Sequence, residues 1–147
     1  MDRRAFLGTS MGALACSAVP LFTTPVFARS NAVRLRDLYN KDMSFTPYAN
    51  KMNGQAVAIE GFMAPPLKAD AMFFVLTTRP MSVCPFCETE AEWPDDILVV
   101  YTKRPIEVVS FNVPIVVEGL LEIGSFEDYE TGFLSRVRLR GASYFEV

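Results

Sequence analysis

Apolar positions along the chain fall into short alternating or continuous blocks, and proline and glycine separate them. Gln55 to Met63 alternates loosely, with Val57, Ile59 and Met63 on one side and Glu60 on the other; Ala64-Pro65-Pro66 ends it, because proline cannot donate to a ladder. Ala71 to Leu76 is a continuous apolar run, too short for a membrane span, and predicts a strand buried on both faces. Ile97 to Tyr101 predicts a third strand, and Ile106 to Phe111 a further short piece. Ile115 to Ile123 is long and β-branched, with Gly119 marking a bulge or bend. An acidic loop follows over Ser125 to Gly132. Leu134 to Val147 is the last strand, with Val137 and Leu139 facing one way and Arg136, Arg138 and Arg140 the other.

Ahead of these blocks, Val33 to Tyr39 suits a short helix or an extended lead-in. Thr46-Pro47 is a helix start, a capping hydroxyl followed by a residue preset for the first turn, and Gly54 can take the left-handed conformation that ends it. Five or six strands after one short helix predict a mainly β fold, a small OB-like barrel, with a β-sandwich as the alternative.

The first residues read differently. Arg3-Arg4-Ala5-Phe6-Leu7 places two arginines before an apolar, small-residue segment that runs to Phe27, the pattern of an export signal of the twin-arginine type. Val26-Phe27-Ala28 predicts cleavage between Ala28 and Arg29, and Pro20 and Pro25 argue against a lasting membrane helix. Cys16 after Ala13-Leu14-Ala15 offers an alternative, a lipid-anchored form. The expected organisation is a signal peptide over 1–28, a lead-in with a short helix over 29–54 and the β domain over 55–147, in a periplasmic protein. About 120 residues remain after cleavage, enough for one hydrophobic core.

A composition that is 50% hydrophobic and 21% charged fits a globular chain, and a net charge of −3 argues against a nucleic-acid binder. The sequence has no histidine. That removes the Ser-His-Asp triad, the Cys-His pair, the commonest zinc ligand and the usual near-neutral acid-base group.

The candidate chemistry is concentrated in Cys84-Pro85-Phe86-Cys87, followed by Glu88, Glu90, Glu92, Asp95 and Asp96. In an oxidising compartment the pair can close a local disulfide. The same spacing lets both thiolates share one zinc ion, with Glu88, Glu90, Asp95 or Asp96 as possible added ligands. Two inert thiols are the plain alternative. A redox pair is the fourth reading, since Cys-Pro-Phe-Cys resembles the glutaredoxin active site, and Val113-Pro114 with the later Gly119 is similar to the glutaredoxin Val-Pro strand. The acidic neighbours oppose a reactive thiolate, and Pro94 stops the long helix that a thioredoxin-type fold needs after its motif.

The arginines of the last strand make a basic stripe on an acidic protein. It serves either an anionic partner or, more simply, cross-strand pairing with Glu118 and Glu122. Trp93 beside Pro94 reads either as an exposed recognition aromatic or, more simply for a lone tryptophan, as a plug under the Cys loop.

The stretch Gly54-x-x-Val57-x-Ile59-x-Gly61-Phe62-Met63, the Cys84 to Cys87 loop, Pro114 to Leu120 and Thr131-Gly132 together resemble an uncharacterised family of bacterial exported proteins with an OB-like domain. The resemblance spans nearly all of the chain from about residue 33. It implies a periplasmic, non-enzymatic domain, sometimes associated with ABC-type membrane transport systems, and it carries no catalytic residues to transfer.

Overall fold

The structure is a computed structural model that describes residues 31–66, 68, 70–82 and 96–147. The chain is mainly β. It runs through β1 (Val33–Arg34), a 3-10 turn (Leu35–Leu38), α1 (Pro47–Met52), β2 (Ala56–Met63), β3 (Phe73–Thr77), β4 (Ile97–Thr102), β5 (Pro114–Glu127) and β6 (Leu134–Glu146).

The six strands form one sheet in the order β1-β2-β3-β4-β6-β5, and β5 pairs back onto β2. Hydrogen bonding therefore runs in a ring through five of them, with β1 added in parallel on β2 at Val33↔Ile59. Every pairing in the ring is antiparallel except β4–β6, where Val99 lies opposite Arg138. The seams differ in length. β2 and β5 pair from Ala56↔Leu120 to Phe62↔Pro114, whereas β2 and β3 meet only at Phe62↔Thr77 and Met63↔Leu76.

The alternating pattern of β2 puts Val57, Ile59 and Met63 into the main core, where they meet Phe74, Leu76, Leu98, Val100, Ile115, Val117, Leu121, Val137 and Leu139. β3 is apolar without alternation because both of its faces are covered: Phe74 and Leu76 face the main core, while Val75 packs with Ala64 and Ile97 in a second cluster. The lead-in belongs to the same core, through Leu35, Leu38 and Tyr39.

Helix α1 starts as its sequence dictates. Thr46 keeps an extended backbone, its hydroxyl accepts from Ala49 N at 3.2 Å and donates to the Asp37 carbonyl at 3.0 Å, and Pro47 occupies the first turn. Thr46→Ala removes both bonds and is expected to cost about 1 kcal/mol, read as a lower urea midpoint at unchanged slope. Past the helix, Gly54 takes φ +80 and donates to the Leu121 carbonyl at 2.7 Å, which ties the helix exit to β5.

Two expectations change. Ile106 to Phe111 forms no strand. Its backbone donors are taken one by one: Ile106 N by the Ala71 carbonyl (3.0 Å), Glu107 N by the Tyr144 hydroxyl (2.7 Å) and Val109 N by the Met63 sulfur (3.4 Å). Nor does the acidic loop begin at Ser125. β5 continues through Glu127, paired with Leu134, so the turn covers only the residues after it.

Candidate functional site

The Cys84–Cys87 pair, Glu88, Glu90, Trp93 and Asp95 lie outside the described residues, as do the arginine pair, Cys16 and the Ala28–Arg29 junction. The base of the Cys segment is described. β3 ends at Thr77 and β4 begins at Ile97, and these two residues face each other in the antiparallel ladder. One step further out, Thr78 N donates to the Asp96 carbonyl at 3.0 Å, and the Thr78 hydroxyl points to the same oxygen at 3.3 Å. The buried Thr77 hydroxyl donates to the Arg79 carbonyl at 2.7 Å. Arg79 Nη2 stands 3.5 Å from Asp96 Oδ2. The segment from Arg79 to Asp96 thus leaves and re-enters the sheet through a hydrogen-bonded clamp.

Of the zinc ligands proposed from the sequence, Asp96 alone falls among the described residues, and its carboxylate faces Arg79. That ion pair is weak, because the Arg79 side chain is 81% exposed. Among the described residues no three His, Cys, Asp or Glu side chains gather in a metal-binding group, and no helix is long and apolar enough to cross a membrane.

The arginine stripe is built on β6 and its neighbours. Arg138 Nε and Arg140 Nε both donate to Glu122 Oε2, at 2.8 and 2.7 Å, and Arg138 Nη1 donates to the Gly124 carbonyl at 2.9 Å. Both guanidinium groups stack on Phe126, each 4.6 Å from the ring centre, and Arg140 also lies over Tyr101 at 5.2 Å. Burial works to raise the Glu122 carboxyl, but the bonds from Arg140 and Arg138 outweigh it and hold the group below its ordinary range. The stripe is therefore mainly an internal arrangement, as cross-strand pairing predicts. Glu122 takes both arginines, while Glu118 stands opposite Ser143 in the ladder.

Sequence reasoning did not find the aromatic side of this cluster. Tyr101 comes from β4, whereas Phe126 and Asp128 lie two residues apart at the end of β5. Burial first, then the charge of Asp128 and its hydrogen bond, push the Tyr101 hydroxyl up to about 12, against the pull of Arg140 and Arg138. Asp128 in turn accepts from Glu130 N at 2.9 Å, Thr131 N at 3.0 Å and the Thr131 hydroxyl at 3.1 Å, which fixes the β5–β6 turn. Burial would raise the Asp128 carboxyl, but these donors and Tyr101 keep it low. The one readable signal was Asp128 three residues ahead of Thr131 and four ahead of Gly132, which is turn chemistry.

No family model matches the chain, and no curated protein matches it. Among solved structures the chain is similar to the crystal structure of a DUF3299 family protein from Pseudomonas aeruginosa PAO1. The TM-score is 0.50 at 13% identity, over 79% of this chain and 96% of that one. At that identity the likeness concerns the fold alone: the mainly β arrangement described above is similar to that of a protein from an uncharacterised family.

Proposed function

We propose that this chain is an exported, non-catalytic binding or accessory domain, an OB-like barrel that presents the Cys84–Cys87 loop from its β3–β4 hairpin. The clamped root of that loop carries the reading. Thr77, Thr78, Arg79 and Asp96 join both ends of the segment to paired strands, which supports reading the Cys segment as an insertion between β3 and β4. The ring of five strands with one parallel pair supports the OB-like architecture. The root also counts against a thiol-disulfide oxidoreductase of thioredoxin type, whose cysteines sit at the start of a long helix, whereas here the chain runs through Asp96 straight into β4.

In this reading the two thiols are joined as a disulfide or share one zinc ion, and the acidic residues after them favour the cation. Zinc would be held by Cys84 and Cys87, with carboxylates among Glu88, Glu90, Asp95 and Asp96 completing the set. Bound zinc would keep both thiols deprotonated and brace the loop. Protein recovered from the periplasm without reductant and alkylated under native conditions should therefore show both thiols protected from reaction. It should carry either a closed disulfide or close to one zinc per chain that is lost in Cys84→Ser. Two freely alkylated thiols and no retained metal after zinc addition and desalting would overturn the reading.

A further inference from the structure

A cleft of about 460 Å³ opens where β2, β5 and β6 run side by side, away from the root of the Cys loop. Its volume falls in the range of about 300–1,000 Å³ usual for small-molecule sites. Two irregularities in the long strands shape it. β5 slips register between Glu118 and Leu120, at Gly119, and β6 turns at Gly141 with φ +58. The bare backbone of Gly141 makes room for Lys103: a Cβ there would stand 3.1 Å from Lys103 Cε and 3.9 Å from its Nζ. The lysine stem lies across the glycine, and Lys103 is one of the residues that line the cleft.

The lining divides into an apolar and a cationic part. Ala56 and Leu120 face each other across the β2–β5 ladder, and Leu120 keeps 41% exposure in mid-strand, an apolar side chain left in water. Lys103 and Arg140 supply the positive charge. Among the described residues Lys103 makes no ion pair, and Arg140 shares the single Glu122 carboxylate with Arg138, so one positive charge of that trio is unbalanced. Glu118 offsets one charge in the cleft. The sum over these groups is one net positive charge on a protein whose total is −3.

We propose that this cleft binds a small amphipathic monoanion, an aliphatic carboxylate whose head lies between Lys103 and Arg140 and whose chain covers Leu120 and Ala56. A single negative charge balances the cleft, while a dianion would be opposed by Glu118. The apolar wall gives the chain a surface to shed water against. Neither the state of the cysteines nor export enters this assignment.

Octanoate titrated into the ¹⁵N-labelled full chain is the test, with octanol and octylamine as controls. Saturable shifts are expected at Ala56 to Ala58, Gly119 to Leu120 and Gly141 to Ala142. Loss of the ammonium in Lys103→Ala should weaken binding about tenfold, the usual effect of deleting a charge-assisted contact. Leu120→Ser should weaken it while leaving the fold's spectrum in place, since that side chain is at the surface. Octanol or octylamine binding as tightly as octanoate, no saturable shift at millimolar octanoate, or both variants binding as the parent does would each overturn the proposal.

Discussion

Gly61→Ala is expected to destabilise the protein by about 2–3 kcal/mol, although it adds only one methyl group. The Cβ would stand 2.7 Å from the Thr77 carbonyl oxygen and 2.9 Å from Leu76 Cγ. The first of these is backbone, and it cannot rotate away. Room is made only by separating β2 from β3, and that is the shortest seam of the ring, held by Phe62↔Thr77 and Met63↔Leu76. Thr77 is also where the Cys loop is anchored, so the strain reaches the loop's root. Gly119→Ala meets its neighbours at 3.1–3.2 Å, less severely, and should cost less. Urea midpoints at constant slope rank the two, and amide exchange of β3 should quicken in Gly61→Ala ahead of that of β5. If Gly61→Ala unfolded at the midpoint of Ala56→Ser, an exposed control, the steric account would fail.

Glu122→Ala is the second large effect, about 2–3 kcal/mol, and most of it comes from Arg138. That side chain is 10% exposed and would keep only the Gly124 carbonyl and the Phe126 face to compensate its charge. Arg140, 37% exposed, can turn to water. Glu118→Ala, with no arginine opposite, should stay within about 0.5 kcal/mol of the parent. The pH dependence has a definite sign. The Glu122 carboxyl is held below its ordinary 4.5 in the folded chain. Its contribution is complete above that value and is lost as the pH falls through the depressed one. The stability gap between parent and Glu122→Ala should therefore narrow on acidification from neutral pH. A gap that stays constant down to pH values well below the ordinary carboxylate range would contradict the pairing.

Local chemistry was readable wherever it was complete within a few residues. Thr46-Pro47 marks the helix start because cap and first-turn residue are adjacent in sequence, and Gly119 marks the bulge because a glycine backbone accommodates the register shift against β6. The alternation of Val57, Ile59 and Met63 assigned the inner face of β2. What stayed hidden depended on partners far along the chain. Ile106 to Phe111 has strand-like composition, yet Ala71, Tyr144 and Met63 take its donors, and no window around it contains those residues. The end of β5 was underestimated because Gly124 and Ser125 look like loop, while pairing with β6 beyond the irregularity between Ile123 and Phe126 carries the strand on to Glu127. Glu118 and Glu122 are equivalent by sequence, and only the ladder register separates them. Gly61 belonged to the most distinctive stretch of the chain, but its reason is a carbonyl sixteen residues away.

The parallel seam between β4 and β6 has a consequence for how the chain matures. β6 is made after all of its neighbours, and it enters between β4 and β5. Until Leu134–Glu146 has emerged from the ribosome, the apolar edge Ile97–Val100 has a partner on the β3 side only. The hairpin of β5 and β6 can form early, since its strands are neighbours in sequence, but closing the ring waits on two contacts between distant segments. From the completion of β4 until β6 has emerged, the nascent chain therefore carries a sticky open edge, and it depends on late assembly to avoid pairing with another copy.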